Sequence, residues 1–204
     1  MSRPDIGHWL ARLSDPRGIN VRWDVSPFDA KDERALDRLL FEARRHSVSL
    51  VFFSRLIDLL RNQPETVLVG DRHAERSQAL QQEVTDMRLQ DLAQVMAIGA
   101  VAREIRTGIA GMPVAHVKGL DFAEVLFGGV QERIFGDIDL LYEPGAERDL
   151  RDLLAKMGFT EHRPDLHPAH YTERQWTRPH PQMDYILVEL HTDMVHVERT
   201  RQGI

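Results

Sequence analysis

Two aspartates, Asp137 and Asp139, alternate with apolar residues in Phe135-Gly136-Asp137-Ile138-Asp139-Leu140-Leu141-Tyr142, a run that otherwise reads as a buried strand. Residues two apart in a strand share a face, so the two carboxylates project side by side, roughly 6 to 7 Å apart from the rise per residue. Aspartate is depleted in strands, and like charges on one face repel unless something positive lies between them. A divalent cation meets that need. The plainer reading is a pair of solvated edge residues, since an isolated Asp-x-Asp is common, so the surrounding chain has to decide.

Upstream, Pro113-Val114-Ala115-His116-Val117-Lys118-Gly119-Leu120 is a short apolar run ended by Lys-Gly, and Asp121 to Phe127 continues with helical spacing. A strand that turns through glycine into a helix presents backbone N–H groups and the positive end of the helix dipole, a cradle for phosphate. Lys118 adds a point charge there, and Gly119 lets the backbone approach closely. The competing reading is a turn glycine beside a solvated lysine. Downstream, Met183-Asp184-Tyr185-Ile186-Leu187-Val188-Glu189-Leu190-His191-Thr192 is a second β-rich run with Glu189 and His191 on one face. A third carboxylate from a neighbouring strand would complete an oxygen-rich cage of the kind Mg²⁺ prefers, with water and substrate phosphate filling the remaining positions. Spacing alone does not make the two strands neighbours.

These pieces carry a resemblance in their order. Lys118-Gly119, then Arg133 four positions before Asp137-Ile138-Asp139-Leu140-Leu141, then Gly158-Phe159, then Val188-Glu189-Leu190-His191 resembles the uncharacterised nucleotidyltransferase family of the polymerase-beta-like nucleotidyltransferase superfamily. The likeness runs from about Val114 to His191 and, more loosely, through Phe41 to Val48. It implies that Asp137 and Asp139 are paired metal ligands and Glu189 the third acid. Two Mg²⁺ ions, or Mn²⁺ in their place, would serve transfer of a nucleoside monophosphate from a triphosphate such as ATP, with release of pyrophosphate. Lys118 and Gly119 would hold phosphate, His191 would orient Glu189 or touch substrate, and Arg133 would contact phosphate or pair with the aspartates. The acceptor could be a protein hydroxyl, an RNA end or a small molecule. The rival expectation is a catalytically silent module of the same fold that binds nucleotide or a partner; metal-dependent phosphate ester hydrolysis is a third.

Composition sets the bounds. With 42% hydrophobic and 28% charged residues the chain is that of an ordinary globular protein, which argues against disorder. No run approaches a membrane span and the first residues lack the apolar core of a signal peptide, so the expected location is the cytoplasm, away from membranes. The absence of cysteine excludes disulfides and thiolate metal sites. A net charge of -6 argues against strong general affinity for nucleic acid.

The elements that must position these residues follow from periodicity. Leu36, Leu39, Leu40 and Ala43 share a helical face, as do Val51, Phe52, Leu56, Leu59 and Leu60. A long helical pattern runs from His73 to Thr107, and Asp91 interrupts its apolar stripe, which argues for a core-packing helix over an extended coiled coil. Val67-Leu68-Val69 is too short to classify. After the aspartates, Pro144 suits a first helical turn, Leu150, Leu153, Leu154 and Met157 point inward, and Gly158 suits a cap. The stretch from Glu161 to Pro181, rich in His, Pro and Arg, predicts a loop with a short strand around Tyr171 to Trp176. His167 and His170 have a tolerable spacing for zinc, but surface histidines are the favoured reading. The expected fold is α/β (α+β): a small mixed sheet in residues 111–204 carrying the site, and a helical N-terminal region over residues 1–110 packed with it as one cooperative unit.

Overall fold

A computed structural model describes residues 6–15, 34–63, 73–126, 129–162 and 173–193. The chain divides into two compact units, one formed by Met1–Ala93 with Phe127–Ile134, the other by Gln94–Leu126 with Phe135–Ile204. Among the described residues there are six α-helices and five strands, the mixed α+β class expected.

The first unit is helical: α1 (Ile6–Leu13), α2 (Arg34–Arg45), α3 (Ser49–Asn62), the opening of α4 (His73–Gly108) and a 3₁₀ turn at Val130–Glu132. The apolar faces read from the sequence meet in one core of Leu39, Leu40, Ala43, Phe52, Phe53 and Leu56, joined by Leu13, Leu60, Leu80 and Val84. Burying such faces, more than helix propensity, stabilises helices of this length. Asp91 has a physical explanation here. It is 4% exposed and receives the Ser49 hydroxyl at 2.7 Å and a fork from Arg44, at 2.9 Å from one terminal nitrogen and 3.3 Å from Nε. The break in the apolar stripe is a hydrogen-bonded ion pair that joins α2, α3 and α4, and a buried carboxylate is tolerated because its lone pairs are used.

The second unit holds the rest of α4, then β1 (Val114–Val117), α5 (Gly119–Leu126), β2 (Asp137–Tyr142), a 3₁₀ turn at Pro144–Ala146, α6 (Glu147–Lys156), β3 (Thr160–Glu161), β4 (Glu173–His180) and β5 (Met183–His191). The five strands make one mixed sheet in the order β1-β2-β5-β4-β3, in which only β2 and β5 run parallel. Ile138, Leu140, Tyr142, Trp176, Ile186, Val188 and Leu190 are all buried, and the register puts them on one face, which leaves the other face to the polar alternates. Within this unit Gly108 lets α4 approach α6 closely, since a Cβ there would stand 3.0 Å from both methyls of Leu153. Gly158, at φ 83°, caps α6 as the sequence predicts, donating to the Ala155 carbonyl at 3.0 Å.

The short strand expected around Tyr171 to Trp176 is the eight-residue β4, extended toward His180. Its composition is loop-like, but Arg174 and Arg178 find local partners: Arg174 bonds Glu161 at 2.9 Å, and Arg178 donates to the Met157 carbonyl at 2.9 Å and lies over the Phe159 ring at 4.8 Å. Pro179 is tolerated near the strand end, where the pairing register shifts. The Val67 to Val69 segment and the His167/His170 pair lie outside the described residues.

Candidate metal and nucleotide site

The polar face of the sheet gathers the acids because two registers coincide. The parallel pairing of β2 with β5 sets Asp139 opposite Glu189 and Leu141 opposite His191. On the outer sides, Val117 of β1 faces Asp139 and Gln175 of β4 faces Glu189. One row, Val117-Asp139-Glu189-Gln175, therefore crosses four strands, with side chains at cross-strand contact distance. Asp137 precedes Asp139 by two residues and so shares its face.

Asp139 is the centre of this face. Its side chain is 2% exposed, and its Oδ1 receives both Lys118 Nζ and His191 Nε2 at 3.0 Å. An ionised carboxylate only accepts, which assigns the proton of the second bond to Nε2. Glu189 stands beside them, its Oε2 3.8 Å from His191 Nε2 and its Oε1 receiving Gln175 Nε2 at 3.0 Å. Ligand atoms of Asp139, Glu189 and His191 lie within 4.8 Å of one another.

The two aspartates of the motif differ in electrostatics. For Asp139, burial favours the protonated form, but the bonds from His191 and Lys118 outweigh it and hold the carboxyl below its ordinary value. Asp137 is pushed upward, first by burial and then by the charge of Asp139, with Lys118 and His191 only partly compensating. Burial acts against the Lys118 charge, yet the bond to Asp139 and the charges of Asp139, Asp137 and Glu189 raise its pKa overall. Asp139 is thus satisfied by the chain's own cation and donor, while the ionised form of Asp137 is disfavoured until further positive charge arrives.

The turn that delivers Lys118 is built for that task. Lys118 has φ 60° and Gly119 φ 34°, so the chain leaves β1 through two successive left-handed residues and enters α5, where the Phe122 amide returns to the Lys118 carbonyl at 3.3 Å. A long side chain in this region costs on the order of 1 kcal/mol. A Cβ on Gly119 would meet the Asp137 carbonyl at 3.5 Å, which ties the turn to the acidic strand. The start of α5 is fixed to the end of α4 by Arg106, which pairs with Asp121 and with Glu124.

The residues proposed from sequence separate as follows. Asp137, Asp139, Glu189, His191, Lys118 and Gly119 come from β2, β5 and the β1–α5 turn of the sheet unit. Arg133 closes the 3₁₀ turn at Val130–Glu132 and is half-buried, in the segment that clusters with the first unit. The trio with converging ligand atoms includes His191 and not Asp137. Gln175 is the residue that motif reading passed over; its signal is the β4 register, hidden in a stretch with loop composition. Two carboxylates and one imidazole at this separation suit a divalent cation: the oxygens fit Mg²⁺ or Mn²⁺, and the nitrogen is a better ligand for Mn²⁺ and later transition metals.

No curated protein matches the chain. A model of the family described as uncharacterised nucleotidyltransferase matches residues 32–203. That span includes the acidic row, the Lys-Gly turn and most of the described helices, and the chain belongs to this uncharacterised nucleotidyltransferase family.

Proposed function

We propose that the protein transfers a nucleoside monophosphate from a nucleoside triphosphate, ATP among them, to an acceptor hydroxyl with release of pyrophosphate. The carrying observation is the in-register pairing of Asp139 with Glu189 on adjacent parallel strands, with His191 at the same carboxylates and Asp137 on the same face. Mg²⁺ or Mn²⁺, when bound, supplies the positive charge that offsets the triphosphate and lowers the pKa of the acceptor hydroxyl. Asp137, Asp139 and Glu189 would hold it. Asp137 has the most to gain, because its ionisation is otherwise opposed by burial and by Asp139.

His191 orients Asp139 through the Nε2 hydrogen bond at 3.0 Å and stands beside Glu189, 3.8 Å from its Oε2. Lys118 sits at the turn with a half-exposed side chain, and in this reading its ammonium exchanges the Asp139 contact for a phosphate oxygen. The amides at the start of α5 offer further donors to the same phosphate.

The test is incubation of the protein with each α-labelled nucleoside triphosphate, Mg²⁺ and cell extract. Label should pass to one macromolecule or metabolite with stoichiometric pyrophosphate, and Asp139→Ala should abolish it. Release of phosphate without labelled acceptor would indicate hydrolysis instead. A second reading is favoured by Lys118 itself, whose ammonium bonds the central carboxylate Asp139 at 3.0 Å: a silent module that binds nucleotide or a partner. Nucleotide binding without pyrophosphate release, whatever the acceptor pool, would select it.

A further inference from the structure

The two oxygens of Glu189 have different surroundings. Its Oε2 lies toward His191, while its Oε1 accepts the Gln175 amide at 3.0 Å from the strand that flanks β5 away from Asp139. The amide must present its NH₂ here, because its carbonyl at that distance from a carboxylate would be repulsive. We propose that Gln175 is a specificity-determining positioning residue: by occupying Oε1 it restricts Glu189 to one-oxygen ligation through Oε2, so the site takes a small octahedral dication and discriminates against Ca²⁺. This rests on the metal-site reading above.

The physical reason lies in how the two classes of dication use carboxylates. Mg²⁺ demands near-ideal octahedral geometry at about 2.0–2.1 Å and is content with single oxygens, whereas Ca²⁺ takes six to eight oxygens at about 2.3–2.6 Å and often draws both from one carboxylate. Drawing Oε1 onto an ion as well would compete with the Gln175 hydrogen bond for that oxygen. The in-register placement on paired strands makes that bond costly to relocate, because β4 is itself held on its other side by β3 through the Thr160–Thr177 and Glu161–Trp176 pairs. Neighbours that orient ligands in this way commonly change metal affinity by about 10–100-fold when replaced.

The experiment is calorimetric titration of the full chain with Mn²⁺ and with Ca²⁺, without nucleotide, backed by displacement of Mn²⁺ followed by its paramagnetic resonance signal. Gln175→Met keeps the length and removes the donor; Gln175→Glu keeps the length and replaces the donor with acceptors. Both should reduce the preference for Mn²⁺ over Ca²⁺ by about ten-fold or more, with Mn²⁺ affinity falling in the Met variant. If either variant fails to fold by circular dichroism, the other carries the test. An unchanged Mn²⁺/Ca²⁺ ratio in a folded variant overturns the role of Gln175 while leaving the metal site standing. Absence of Mn²⁺ binding to the unmodified protein overturns the site and the inference together.

Discussion

Asp137 and Asp139 share a strand, a face and a charge, yet replacing each with Asn should move stability in opposite directions. In Asp139→Asn the side chain can still accept from His191, but the charge assistance is lost; charged hydrogen bonds contribute about 1.5–3 kcal/mol against about 0.5–1.5 for neutral ones, a loss of about 1 kcal/mol. The Lys118 contact adds only a fraction of a kcal/mol, since that side chain is 47% exposed and solvent screens it. Relief of repulsion with Asp137 subtracts a little. The net cost of about 1 kcal/mol lowers Tm by about 2–4 °C in metal-free buffer at neutral pH. Asp137→Asn removes a carboxylate whose ionisation opposes folding, so Tm should rise.

The pH dependence fixes the signs. Asp137 has a folded pKa raised above the unfolded value, so its ionisation costs nothing below about 3.8 and the full amount once pH exceeds the folded value. The advantage of Asp137→Asn should therefore vanish on acidification. Asp139 is shifted the other way; its contribution is present above the unfolded pKa and lost as pH falls through the folded one, so the Asp139→Asn penalty should also shrink in acid. Divalent metal reverses the order of Asp137→Asn and the unmodified protein: saturation at 100 times Kd stabilises the native protein by about 2.7 kcal/mol, and both Asn variants should forfeit most of it. Melting curves by circular dichroism in chelator and in Mn²⁺, across pH 3–8, measure all of this. If Asp137→Asn destabilises the metal-free protein at neutral pH as much as Asp139→Asn does, the electrostatic reasoning is refuted.

Lys118→Met should weaken triphosphate affinity by about ten-fold, or 1.4 kcal/mol, with Mn²⁺ affinity in the absence of nucleotide unchanged or tighter; titration with a non-hydrolysable triphosphate checks it, and an unaltered nucleotide affinity would remove Lys118 from the phosphate role. Asp91→Ala should cost about 2–3 kcal/mol by chemical denaturation, because it leaves the buried Ser49 hydroxyl unpaired and strips the Arg44 fork; a cost under about 0.5 kcal/mol, the scale of an ordinary surface change, would show that the pair is incidental. A chain beginning at Gly111 would lose Val95, Ile98, Ala102 and Ile105, all buried, and should be insoluble or lack near-ultraviolet circular dichroism. Sharp aromatic signals from that shortened chain would refute the contribution of α4.

The placement of the acidic strand and of the Lys-Gly turn was legible in the sequence because it depends on residue type at a fixed local spacing. Asp-x-Asp in an apolar run predicts a strand with both carboxylates on one face, and Lys-Gly before a helical pattern predicts a strand-to-helix turn; β2 and the β1–α5 turn are both found. The helices were legible for the same reason, since apolar residues every three or four positions permit few alternatives. What only the tertiary structure decided is everything that depends on register between distant segments. The parallel pairing of β2 with β5 brings Asp139 to Glu189 across fifty residues, and antiparallel β4 sets Gln175 against Glu189 from a stretch whose composition predicts a loop. Pairing also separates two aspartates that the sequence treats alike: Asp139 falls beside Lys118 and His191 and is satisfied, while the ionised form of Asp137, two residues earlier, is opposed by burial and by Asp139. Asp91 shows the converse, an apparent flaw in a helical stripe that becomes a buried ion pair once Ser49 and Arg44 are brought to it. Local spacing fixes which way a side chain points; only strand pairing and helix packing fix what it points at.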